Sequence, residues 1–78
     1  MRRALTARQR QVLGLVANGN TNRQIARWLG CDPRTVCRHL AGIYRTLGAQ
    51  DRAQAVALGL RYGDITQDDI HEPAREAA

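Results

Sequence analysis

Lysine and phenylalanine are absent from this 78-residue chain, and methionine and tryptophan occur once each. With only Trp28, Tyr44 and Tyr62 to stack on bases, a platform for single-stranded nucleic acid is excluded. Cys31 and Cys37 are too few and too close for the disulfide framework of a small secreted domain, which points to a reducing, cytoplasmic setting. The longest apolar run, residues 55–60, contains Gly59 and falls far short of a membrane span or a signal peptide. No nucleophile–base pair, phosphate-cradling glycine loop or carboxylate pair stands at catalytic spacing, so the chain reads as a non-enzyme without a cofactor. Cys31, Cys37 and His39 do not make a metal site, because 37 and 39 leave a helix on opposite flanks and no fourth ligand is near.

Acidic residues are scarce where basic ones are dense. Residues 1–63 hold eleven arginines against Asp32 and Asp51, a balance of +9. Residues 64–78 hold Arg75 against five acids, a balance of −4. A basic body with an acidic tail asks for a polyanionic partner for the body. Arginine forks suit phosphate and guanine edges, but a GC-rich coding sequence gives the same all-arginine bias and is the plainer explanation for it. Seventy-eight residues make one small domain near the lower limit for an unstapled core.

The punctuation of the chain sets its fold class. Thr6 with Gln9, Thr21 with Gln24 and Asp51 with Gln54 each place a capping side chain three residues before a glutamine. Asp32 followed by Pro33 is a fourth start signal. Gly19, Gly30, Gly48 and Gly63 stand where helices would stop. The predicted elements are helices over about 7–18, 22–29, 33–47 and 52–62, with no alternating stretch that would make a strand. The expected fold is all-α, a four-helix bundle-like domain over residues 1–63. Residues 64–78 form the acidic tail, read as a short fifth helix after Thr66 or as disorder. Expected core residues are Leu5, Val12, Leu13, Val16, Ile25, Ala26, Leu29, the stripe of helix 33–47, and Ala53, Val56, Ala57 and Leu60, with Ile65 and Ile70 added by the tail. Trp28 is read as a partly buried prop beside the inward face of helix 22–29, and His39 as a packed histidine bordering the core stripe.

The helix over 33–47 has two opposed faces. Val36, Leu40, Ile43 and Leu47 make one apolar stripe. Arg34, Arg38, Ala41 and Arg45 make the stripe directly opposite, and no acid occurs between residues 33 and 50. Arg34 and Arg38 can offer bidentate forks to guanine, Ala41 lets the helix approach closely, and Arg45 suits a phosphate. The three-residue connection Gly30-Cys31-Asp32 between two short helices is the helix-turn-helix spacing, in which the second helix enters the major groove of double-stranded DNA. Cys31 reads as a small hydrophobe in that turn. Cys37 flanks the arginine stripe, either in plain van der Waals contact or as an arginine-neighboured thiol open to oxidation.

The run Leu5-Thr6-Ala7-Arg8-Gln9-Arg10-Gln11-Val12-Leu13 is followed by Asn22-Arg23-Gln24-Ile25-Ala26 and Leu29. Thr35-Val36, His39-Leu40, Ile43-Tyr44 and Leu47-Gly48 come next, and Arg52-Ala53 with Ala55-Val56 closes the pattern. Together these resemble the LuxR/NarL-type (GerE-type) DNA-binding domain of bacterial transcription regulators over residues 5–63. The resemblance implies a four-helix module whose third helix reads the major groove and whose fourth forms a homodimer. It implies a phosphate contact at Thr35, base reading at Cys37, Arg38 and Ala41, and backbone contacts near Asn22, Arg23 and Arg45. The chain departs from the family with Cys37 and Thr46 in place of common lysines, Gln9 and Gln11 in place of frequent glutamates, and Gly42 in place of a common asparagine. The missing lysine at 37 means that base preference does not transfer from relatives.

The expected function is therefore sequence-specific double-stranded DNA binding by a nucleoid-associated transcription regulator. RNA polymerase is a further candidate partner, and no membrane is involved. With Ala53, Val56, Ala57 and Leu60 taken as inward, Ala55, Leu58, Gly59 and Tyr62 form the expected dimer surface. The alternative is a protein-interaction module whose arginine face binds an acidic partner of the transcription machinery. Met1 fits a complete small protein or a fragment of a larger regulator.

Overall fold

A computed structural model describes residues 4–71. Four helices follow one another, α1 (Ala7–Ala17), α2 (Asn22–Leu29), α3 (Pro33–Leu47) and α4 (Arg52–Tyr62), and a 3₁₀ turn at Gln67–Asp69 closes the described chain. No strand occurs among the described residues. The fold is all-α as expected, and the anticipated fifth helix is only that 3₁₀ turn. The helix-or-disorder alternative for residues 72–78 lies outside the described residues.

Local chemistry starts each helix. Thr6 Oγ1 accepts from the Gln9 amide at 3.0 Å while Gln9 Oε1 accepts from the Thr6 amide at 2.9 Å. Thr21 and Gln24 repeat this reciprocal pair at 3.1 and 2.8 Å. Two donors that the first turn would otherwise leave unbonded are thereby satisfied at each start. The third pair works differently. Asp51 accepts from the Gln54 amide at 2.8 Å, but Gln54 reaches past it to the Gln50 amide at 2.7 Å. Asp32 caps α3 through the Arg34 amide at 2.7 Å, with Pro33 at the first helical position, where its missing N–H costs nothing.

α3 is the central element and packs across α1, α2 and α4. Its stripe of Val36, Leu40, Ile43 and Leu47 is buried against Val12, Leu13, Val16, Ile25 and Ala26, with Leu5 leading in. The core reaches beyond Gly63 to Ile65, which is 2% exposed, whereas Ile70 is exposed. Asn18 fastens the tail. Its Nδ2 donates to the Asp69 and Gly14 carbonyls, each at 2.8 Å, and its Oδ1 accepts from the His71 amide at 2.6 Å.

Besides Ile70, expected in the core but exposed, two further sequence expectations are corrected. α4 is rotated about its axis from the expected phase: Ala55 and Gly59 are buried and Ala53 and Ala57 are exposed, while Val56 and Leu60 are half-buried and pack against the core as expected. Ala55 and Gly59 therefore belong to the core and offer no dimer surface. Leu58 packs against that core, and only Tyr62 of the four expected dimer residues is exposed. The reason is size at Gly59, where the missing side chain lets α4 lie directly against Leu13 of α1. Trp28 is 74% exposed rather than a partly buried prop. It follows Ala26 by two residues, about 200° around the helix, so burying Ala26 turns the indole outward.

Candidate nucleic-acid interface

The site is built on the turn between α2 and α3. Gly30 ends α2 in the left-handed conformation at φ 67°, where a side chain would be strained. The Cys31 amide donates back to the Ala26 carbonyl at 2.9 Å, and the half-buried Cys31 packs on the core. Asp32 then starts α3 at once, so the two helices are joined by three residues. Anchored by its apolar stripe, α3 exposes Arg34, Cys37, Arg38, Ala41 and Arg45 along its outer side. His39, bordering the stripe, is half-buried.

The start of α2 flanks this surface. Arg23 is exposed, and Asn22 is half-buried with its Nδ2 donating to Cys37 Sγ at 3.3 Å. Thr35 is half-buried in the first turn of α3, and its amide donates to the Asp32 carbonyl at 2.9 Å. All eight residues singled out for DNA thus come from α3 and from the N-terminal turn of α2. Asp32, the acid nearest to the start of the stripe, has one carboxylate oxygen engaged in capping α3. The surface offers guanidinium forks on a rigid helix, a small central residue, and amide and thiol groups at one edge. That combination suits phosphates and base edges.

Arg52, the first residue of α4, belongs to the family pattern, but the sequence assigns it no role at the interface. Its Nη1 donates to Asn22 Oδ1 at 2.6 Å and its Nη2 to the Asn20 carbonyl. These contacts span thirty and thirty-two residues, and no local pattern announces them. Together with Asn22, Cys37, Leu40, Ala41 and Tyr44, Arg52 lines a shallow hollow beside the exposed stripe.

The family model of the luxR family of bacterial regulatory proteins matches residues 3–58. The chain belongs to the LuxR family. This LuxR-family helix-turn-helix is a DNA-binding domain of the transcription-regulator type. It is 51% identical over 55 residues to the probable transcriptional regulatory protein SgaR of Hyphomicrobium methylovorum, covering 70% of this chain and 26% of SgaR. It is 38% identical over 65 residues to the transcriptional regulatory protein YdfI of Bacillus subtilis, covering 83% of this chain and 30% of YdfI. The LuxR-family domain described here thus spans between a quarter and a third of these curated relatives. Among solved structures, it superposes with TM-score 0.74 on the transcription factor GerE, at 30% identity and covering 81% of this chain and 94% of GerE. It is also similar to the response regulator ChrA of a heme-sensing two-component system, with TM-score 0.79 and 35% identity, covering 83% of this chain and 32% of ChrA. A third structure, Vibrio cholerae VqmA in complex with ligand and DNA, matches with TM-score 0.72 and 33% identity, covering 82% of this chain and 28% of VqmA.

Proposed function

We propose that the domain binds double-stranded DNA sequence-specifically as a homodimer, with α3 inserted in the major groove. The observation that carries this reading is the pair of opposed stripes on α3. The buried Val36, Leu40, Ile43 and Leu47 fix the helix, and the exposed Arg34, Arg38, Ala41 and Arg45 face outward. Arg38 and Arg34, near the helix start, read base edges. Ala41 permits close approach, Arg45 and Arg23 meet phosphates, and Cys37, Thr35 and Asn22 complete the edge towards α2. The dimer face is the outward side of α4 around the exposed Ala53 and Ala57, bordered by Val56 and Leu60, which are half-buried and pack against the core. A small apolar face of this kind suits a second copy of the same helix, and the related VqmA is described as a dimer. Two copies on adjoining half-sites also supply the buried area that one such module lacks. The same reading gives the domain a nucleoid-associated, cytoplasmic setting and RNA polymerase as a partner of the bound regulator.

The decisive experiment is selection of duplexes from a random pool, followed by titration of selected and scrambled sequences over a salt series. Enrichment of one motif, with log affinity falling linearly in log salt, is the expected result. Equal affinity for both sequences at moderate salt would favour an acidic protein partner instead.

A further inference from the structure

Asn22 is held from behind by a residue of another helix. An asparagine amide has an acceptor end and a donor end, and which end faces the DNA decides what it can recognise. Here Oδ1 receives Arg52 Nη1 at 2.6 Å, and a guanidinium has no acceptor to offer in return. Arg52 Nη2 is tied to the Asn20 carbonyl just before α2, which fixes the plane of the fork. The amide is thereby locked with Nδ2 directed at Cys37 Sγ, on the exposed side of α3. Arg52, Asn22 and Cys37 come from α4, α2 and α3, so one chain of contacts joins the start of three helices to the candidate interface.

We propose that Arg52 is a positioning residue for DNA recognition. It holds the acceptor end of Asn22 inward so that Nδ2 is presented to a phosphate or base acceptor beside Cys37. The role rests on the DNA-reading surface proposed above. It also gives α4 a direct mechanical link to that surface: a shift of the start of α4 releases the Asn22 amide. A guanidinium bonded to two acceptors is half-buried and geometrically constrained, unlike the exposed arginines of α3 that face outward.

The test compares the 78-residue chain with the variants R52A, R52K, N22A, N22D and R52A/N22A. Affinity is measured for a duplex selected by the unaltered chain and for a scrambled one, and thermal unfolding is followed in parallel. Arg52→Ala and Asn22→Ala are each expected to weaken the selected duplex about tenfold, the scale of one charge-assisted hydrogen bond. The double variant should be no weaker than Asn22→Ala alone, because Arg52 acts only through the Asn22 amide. Arg52→Lys should recover part of the loss. Asn22→Asp keeps an acceptor for Arg52 and so keeps the fold, but it presents no donor, and it should lose affinity at an unchanged melting temperature. Losses that multiply in the double variant, or Asn22→Asp binding as tightly as the unaltered chain, would overturn the assignment. Failure of the unaltered chain to enrich any sequence would overturn the DNA reading beneath it.

Discussion

Gly59 in α4 faces Leu13 in α1 with no space between them for a side chain. A β-carbon on Gly59 would stand 2.6 Å from Leu13 Cδ2 and 3.3 Å from Ile65 Cγ1. Leu13 is fully buried, so it has nowhere to move. Gly59→Ala should therefore destabilise the domain by about 1–2 kcal/mol, the overpacking cost outweighing the better helix propensity of alanine. Gly14, inside α1, gives the opposite result. No atom would lie within 4 Å of a β-carbon there, and Gly14→Ala should stabilise by about 0.5–1 kcal/mol. Urea midpoints of the two variants, at unchanged slope, check both signs.

The tail contributes to the core rather than only to the charge balance. Ile65 is 2% exposed and packs on the Gly59 side of α4. Ile65→Ala is expected to cost about 2–5 kcal/mol, a large part of the stability of so small a domain. Cutting the chain after Gly63 should be at least as damaging, which calorimetry of the truncated form would show.

Helix limits and caps were legible because they depend on neighbours in sequence. Thr6 with Gln9, Thr21 with Gln24, and Asp32 with Pro33 each act within three residues, and the α3 stripe has a clear 3.6-residue period. The inward face of α4 is not legible because Ala53, Ala55, Val56, Ala57, Leu58, Gly59 and Leu60 are apolar or small on every side. Periodicity then sets no phase, and the close approach of α1 decides which face turns in. The exposure of Trp28 is hidden for a related reason. Hydrophobicity suggested burial, but α2 is only eight residues long and spends its inward face on Ile25 and Ala26. The interface stripe was readable because one helix carries it. The Arg52–Asn22 contact was not, because it depends on how three helices meet.

Arg38 and Arg45 separate base reading from backbone attraction. Both are exposed on α3, so neither substitution should alter the fold. Arg38→Ala should cost about 1–3 kcal/mol on the selected duplex and little on scrambled DNA, relaxing preference at one position. Arg45→Ala should weaken both sequences alike and reduce the slope of log affinity against log salt by about 1. Competition binding at two salt concentrations distinguishes them. Identical profiles for the two variants would refute the division of roles along the helix.

Ala57 tests the dimer face, because it is exposed on the outward side of α4, away from the core residues Ala55 and Gly59. Glutamate there keeps good helix propensity and puts a charge where the proposed two-fold contact excludes water, facing its own copy. Ala57→Glu should leave the melting temperature within a few degrees, since a surface change away from the core costs at most about 0.5 kcal/mol. It should convert the 2:1 protein–duplex complex into a 1:1 complex of lower affinity, read by sedimentation. The matching substitution Ala55→Glu buries a charge in the core and should prevent folding outright. If Ala57→Glu binds with unaltered stoichiometry and affinity, the outward side of α4 is not where two copies meet, and the half-site spacing must be set by another surface.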